Sequence, residues 1–234
     1  TNYKFDEKTI RLISQMHKAI TIIQFKLEAQ AIDRQPEFQM QNRKLLEYID
    51  TRQNIFRYKG QEYLMQDHHF PTLLPEHPYQ LTPEEKELMK KLHHSFVNSD
   101  KLRKHMHCLY THGSMYKVCN SNLLYHASIP LEADGNFRNV TIEGKLYHGK
   151  SLLEKAEQLI RLAYFGDKDT PEKQYALDYI WYLWCGPDSP LFDKSKMATF
   201  ENYFLKAPEL QKEQKGHYYI LRDEELTCDL ILHE

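Results

Sequence analysis

The stretch "SNLLYHASIP", residues 121–130, carries an apolar run to a histidine and reaches a proline four residues later. Asn122 to Tyr125 read as a short strand, and Pro130 bars the ladder from continuing far beyond it. A strand that takes Leu-Leu-Tyr into a core has little physical reason to finish on imidazole. His126 is then one of two things. It is a structural histidine at a strand end, or it is held where strand gives way to loop, a common station for ligand-binding groups in layered folds. The residues alone leave both readings open.

Working outward, "SMYKVC" (114–119) predicts the partner strand, joined to the first through Asn120-Ser121. Before it, a helix starts near Asn98-Ser99, runs through "DKLRKHMHCLYTH" and stops at Gly113. "TPEEKELMKKLHHSF" (82–96) opens with Thr82, Pro83 and Glu85, a capping box with proline at the first helical position. The connection "FPTLLPEHPYQL" (70–81) reads as an extended strap fixed by its prolines. "NIFRYKGQEYLM" (54–65) predicts a hairpin turning at Lys59-Gly60. Residues 6–33 predict a long helix capped by Asp6, with Ile10, Ile13, Met16, Ile20, Ile23 and Leu27 at three- and four-residue steps. On the other side, "FRNVTIEGKLYHG" (137–149) predicts a hairpin. Helices follow over about 150–164 and 171–184, with shorter ones near 196–205 and 222–233. The class is α+β and helix-rich, without internal repeats.

The bulk numbers narrow the function. With 31 basic and 33 acidic residues and no long basic run, charge does not suggest nucleic acid or an anionic membrane as partner. No run of 18 apolar residues occurs, so no segment is expected to span a bilayer. Cys108, Cys119, Cys185 and Cys228 lie far apart without CxxC spacing, as free thiols in a reducing, cytoplasmic setting would. Glycine numbers only 8, where average usage gives about 16, so the chain is poor in the material of phosphate-cradling and metal-clustering loops. The chain opens on Thr1 with no signal-peptide pattern and closes on "RDEELTCDLILHE", an amphipathic pattern with no glycine or proline stop. It is expected to be part of a longer protein.

The 13 histidines invite metal readings. His105 and His107, two apart on a helix, face different ways, and Cys108 with His112 at i, i+4 supplies only two ligands. The adjacent pairs His68-His69 and His93-His94 fare no better, and all of these read as ordinary surface or core residues. "WYLWCGPDSPLF" (181–192) makes a rigid loop in which Pro187 and Pro190 restrict the backbone around Asp188 and Ser189. Asp188 there caps a local amide or presents a short carboxylate.

The strings "GSMYKVCNSNLLYHASIPLEADGNF" (113–137) and "WYLWCGPDSPLFDKSKMATFE" (181–201) resemble the class III fructose-1,6-bisphosphatases, bacterial enzymes on a metallophosphoesterase (calcineurin-like) core. So do "ISQMHKAITIIQFKLEAQ" (13–30) and "HSFVNSDKLRKHMHCLY" (94–110), and the likeness extends over essentially the whole chain. It implies hydrolysis of the 1-phosphate of fructose 1,6-bisphosphate in gluconeogenesis, at a two-metal centre of manganese or magnesium. It also implies a partial α/β/β/α sandwich. Residues 1–97 would form a helical and hairpin elaboration, and 98–234 part of the second sheet with its helices.

The family's Gly-Asp-x-x-Asp-Arg and Gly-Asn-His-Glu motifs are missing. Gly166-Asp167 is followed by the wrong residues, and Gly216-His217 lacks the usual continuation. The single strand-end histidine of the family is matched by His126, which the resemblance makes a metal ligand. Where members commonly have glycine after it, this chain has Ala127, which resists positive φ. The resemblance thus implies an internal-to-C-terminal fragment, inactive by itself and binding no metal alone. Asp188 and Ser189 would lie near the substrate mouth, and the general acid would come from segments outside the chain. A reading from another class is a non-catalytic assembly or effector-binding module, whose 16 tyrosines and 11 phenylalanines supply contact surface. The two hold together if the segment also carries homo-oligomer contacts.

Overall fold

In the computed structural model, which describes residues 5–234, the chain divides into two compact units. The first takes in the chain up to Phe96 together with residues 204–206, and the second holds 97–203 and 207–234.

The first unit is organised by α1 (Glu7–Arg34), whose free amides are capped as expected, Thr9 N donating to Asp6 Oδ1 at 2.7 Å. Only its second half is interior. Ile22, Ile23, Ala29 and Ile32 are buried, while Ile10, Ile13, Met16 and Ile20 are exposed. The apolar period therefore set the helix correctly without setting what covers it. Three 3₁₀ turns (Pro36–Phe38, Gln41–Arg43, Leu46–Tyr48) lead into an antiparallel sheet of β1 (Ile49–Asp50), β2 (Ile55–Tyr58) and β3 (Gln61–Leu64). Lys59 and Gly60, both at positive φ (51° and 77°), make the tight turn between β2 and β3. Phe56 and Leu46 fill the space under this sheet.

The 70–81 strap is tied to α1 by two side chains, Lys26 Nζ donating to Thr72 O (2.7 Å) and Gln30 Nε2 to Tyr79 O (2.8 Å). It delivers the chain to α2 (Pro83–Val97), where the capping box forms in both directions. Glu85 N donates to Thr82 Oγ1 (3.2 Å) and Thr82 N to Glu85 Oε2 (2.9 Å). The Glu85 carboxylate has a second task, because Lys26 reaches it at 2.8 Å, and the two side chains are only 0% and 7% exposed. Residues 204–206 lie along the end of β3. Gln66 N donates to Phe204 O (2.8 Å) and Lys206 N to Leu64 O (3.0 Å), and the Phe204 ring meets that of Phe70 edge-on at 5.2 Å.

In the second unit, α3 (Asp100–His112) is capped by Ser99, and its last carbonyls are taken by one guanidinium. Arg161, from α4 (Gly149–Phe165), donates to Tyr110 O at 2.7 Å and to Gly113 O at 3.0 Å while Glu157 holds it at 2.9 Å. Helix α4 packs on α5 (Pro171–Cys185), which begins at the Thr170 cap. Leu152, Ala156 and Leu159 are buried on α4, and Ala176, Tyr179 and Leu183 on α5. Two hairpins accompany the helices. One is β4 (Tyr116–Cys119) with β5 (Asn122–Tyr125), the other β6 (Val140–Ile142) with β7 (Lys145–Tyr147). Asn120-Ser121 and Glu143-Gly144 turn them with φ positive at both residues. Short helices α6 (Thr199–Phe204), α7 (Pro208–Gln211), α8 (Tyr218–Leu221) and α9 (Glu225–His233) complete the chain.

The α+β class expected from the sequence is what the chain adopts. Its sheets, among the described residues, are one of three strands and two of two strands, all antiparallel. No helix among the described residues is long and apolar enough to cross a membrane.

Candidate functional site

His126 follows directly on β5, the strand predicted to end there. That strand is less interior than its sequence suggests, since Leu124 is exposed and Tyr125 only half-buried. Tyr125 keeps its place by a 2.7 Å hydrogen bond between its hydroxyl and that of Tyr218. The chain then bends at Ala127 and dives: Ser128, Ile129, Pro130 and Leu131 are all buried. Ala127 makes the bend at φ +65°, so alanine does adopt the left-handed conformation that its side chain was expected to resist. The cost is about 1–2 kcal/mol, and the buried residues that follow must hold it. Imidazole is left exposed at the rim of an open, mostly apolar cavity of about 450 Å³, lined by Met115, Ile160, Leu183, Trp184 and Leu191. No hydrogen bond fixes the ring among the described residues.

The loop after α5 runs alongside this bend, Ser128 N donating to Pro190 O at 3.0 Å. Its two candidate residues point differently. Asp188 Oδ1 accepts from Arg138 Nε at 2.7 Å. Burial pushes the Asp188 carboxyl above its ordinary range, with Arg138 opposing the shift and Glu132 adding to it. Ser189 is fully buried. Its hydroxyl donates to Leu183 O (2.6 Å) and accepts from Leu191 N (3.1 Å), so both of its roles are used in closing the turn.

Asp193, which the sequence did not single out, is buried at 4% exposure and sits at φ +43°. Burial pushes its carboxyl up. The Ser128 hydroxyl opposes this, Asp188 adds to it, and Arg138 and His217 oppose it. Its only advance signal was a carboxylate five residues after Gly186-Pro187-Asp188, which is no motif.

The remaining histidine candidates stay apart. His105, Cys108 and His112 are exposed on α3, and His107 rests against the rings of Tyr164 and Phe165. Among the described residues no three His, Cys, Asp or Glu side chains are grouped to hold a metal ion. Residues 144–151 fit the Gly-x₄-Gly-Lys-Ser spacing of a phosphate-binding loop, but the fold gives them other work. Three of the four intervening residues form β7, and Ser151 Oγ accepts from His148 N (3.1 Å) and donates to its carbonyl (2.7 Å) at the start of α4.

The family model describing the Firmicute fructose-1,6-bisphosphatases matches residues 1–234. Over 234 residues the chain is 63% identical to a protein of Bacteroides thetaiotaomicron named fructose-1,6-bisphosphatase class 3, covering 100% of this chain and 35% of that protein. It is 58% identical over 231 residues to the protein of that name from Phocaeicola vulgatus, covering 98% and 35%. With the one from Clostridium botulinum it shares 52% over 225 residues, covering 96% and 34%. The chain spans about a third of the length of these curated relatives. No solved structure matches it.

Proposed function

This chain belongs to the Firmicute fructose-1,6-bisphosphatase family, and from that membership we propose that it is one part of a metal-dependent phosphatase. The whole protein would hydrolyse fructose 1,6-bisphosphate to fructose 6-phosphate and phosphate, in the cytoplasm, as a step of gluconeogenesis. The relatives' printed name supports the substrate, and the free thiols support a reducing compartment.

The observation that carries the site reading is the presentation of His126. A left-handed alanine and a buried anchor put an imidazole on the rim of a cavity, with no hydrogen bond to its ring from the described residues. A satisfied structural histidine looks otherwise. Neutral imidazole suits manganese or magnesium only as one ligand among several, and the described residues do not complete a site. His126 is therefore read as one ligand of a centre assembled with polypeptide beyond this chain. Asp188, paired with Arg138 at 2.7 Å, is read as lying toward the substrate side, and Ser189 shapes the loop that carries it.

The test has two arms. The 234-residue chain, given fructose 1,6-bisphosphate and manganese, is expected to release no phosphate above background. Enzyme-like turnover would overturn the reading. In the full-length protein, His126→Ala is expected to lower metal content and rate together, and unchanged metal content removes the ligand assignment.

A second reading is favoured by the exposed face of α1. Ile10, Ile13, Met16 and Ile20 form an apolar stripe left exposed by the described residues, as an assembly or homo-oligomer contact would.

A further inference from the structure

Two residues with side chains are held in the left-handed region near one another in the second unit, Ala127 at φ +65° and Asp193 at φ +43°. An alanine stays there only when its surroundings over-determine it, whereas an aspartate adopts the region more readily. For Asp193 the determinants are visible. Its N–H donates to Ser189 O at 2.8 Å, and its carbonyl accepts from Gly216 N at 2.8 Å. Its carboxylate lies flat against Gly216, where a Cβ would stand 2.0 Å from Oδ1 and 2.3 Å from Oδ2, so a side chain at 216 is blocked while the carboxylate keeps this place.

What the carboxylate faces gives the arrangement a purpose. The Ser128 hydroxyl, fully buried, is near enough to favour the charged form of Asp193. The two groups face one another outside ideal hydrogen-bond geometry, and neither Ser128 Oγ nor Asp193 Oδ2 takes another partner among the described residues. Two buried polar atoms in that condition are expensive, and a sequence serving stability alone would replace them with carbon. Ser128 is also pinned through its amide to Pro190 O, on the same loop that carries Asp193. Ser128 is the second residue after His126, across the Ala127 bend. The 187–193 loop and the 193–216 backbone bridge thus grip the chain just past the imidazole.

We propose that Asp193 is a positioning residue for His126: with Gly216 behind it and Ser128 before it, its carboxylate fixes the Ala127 bend and so the direction of the ring. In its catalytic consequence this rests on His126 being a metal ligand. In its positional claim it does not.

The test reads ring position directly. In the chain labelled with ¹³C at histidine Cε1, the His126 signal is identified by its loss in His126→Gln. Asp193→Asn keeps the side-chain shape and tolerates positive φ, so the thermal midpoint is expected to stay within a few degrees. The His126 signal is expected to shift or broaden, while those of His105 and His107 remain in place. An unmoved His126 signal overturns the proposal.

Gly216→Ala alone is expected to lose the fold of this region. The pair Asp193→Gly with Gly216→Ala removes the overlap and is expected to regain the midpoint with the His126 signal still displaced. A signal back at its original position in that pair overturns the proposal as well. In the full-length protein, Asp193→Asn is expected to reduce bound manganese at limiting metal several-fold. A displaced ring with manganese retained in both Asp193→Asn and His126→Ala keeps the positioning role and removes the metal reading. Manganese lost in His126→Ala but kept in Asp193→Asn keeps the ligand assignment and removes the catalytic consequence claimed for Asp193.

Discussion

Replacing Lys26 with methionine tests the interior of the first unit at its most exposed assumption, that a buried charge is held only by its partner. Lys26 Nζ has three acceptors, Glu85 Oε2 at 2.8 Å, Glu85 Oε1 at 3.1 Å and Thr72 O at 2.7 Å, and its side chain is 0% exposed. Methionine fills much of the same volume, so little of the loss comes from a cavity. What remains is the Glu85 carboxylate, buried without its counter-ion, and breaking such a pair from one side costs about 3–5 kcal/mol. Adding Glu85→Gln removes the charge while leaving an oxygen for the Thr82 amide, as a capping box accepts either residue. The double variant is expected to recover all but about 1–2 kcal/mol, chiefly the unmet Thr72 carbonyl.

Urea unfolding followed by the tyrosine signal measures both, with the midpoint moving and the slope unchanged. A loss under about 1 kcal/mol for Lys26→Met, or a double variant no better than the single, would refute the argument. The pair also sets a pH dependence. Burial pushes the Glu85 carboxyl up, but hydrogen bonds from Lys26, Thr72 and Thr82 together with the Lys26 charge outweigh it, so the net shift is downward. A carboxyl lowered in the folded state stabilises above its unfolded value of about 4.3. That stability is lost as pH falls through the folded value, and Lys26→Met is expected to abolish this part of the acid sensitivity.

Two further outcomes follow from the second unit. Ala127→Gly removes the steric cost of φ +65°, offset in part by glycine's greater freedom when unfolded. It is expected to gain about 0.5–1 kcal/mol in thermal unfolding, and a loss would mean that the bend is not strained. Arg161→Leu strands the carbonyls of Tyr110 and Gly113 at the end of α3, at about 1–3 kcal/mol. Hydrogen exchange is expected to quicken in the last turn of α3 before the rest of the helix.

Much of this fold could be read from local chemistry. Thr82 and Ser99 each announced a helix start and each caps one. Lys59-Gly60 announced a hairpin turn, because short-range steric rules need no knowledge of the remainder. Burial was harder to read, since it depends on partners far along the chain. A lysine inside α1 looks like a solvent-facing residue until Glu85, 59 residues on, closes over it. Conversely, the apolar period of α1 continues through Ile10 and Met16, which the described residues leave exposed.

At the candidate site, His126 was legible because a strand that stops on imidazole is odd by itself. Asp193 was not, because its interest lies in contact with Ser128 and Gly216, brought together by two loops. Ser189 looked available for a ligand and turned inward, a choice that a hydroxyl between two prolines does not reveal.

The return of residues 204–206 to the edge of β3 has a consequence for the order of synthesis. A chain leaves the ribosome from its amino end at about 5–20 residues per second. Phe70 and the end of β3 therefore emerge roughly 7–28 s before Phe204 arrives to cover and pair with them. During that interval a nascent ring and an unpaired strand edge face the crowded surroundings of the tunnel exit. This is the window in which a holding chaperone would find its substrate.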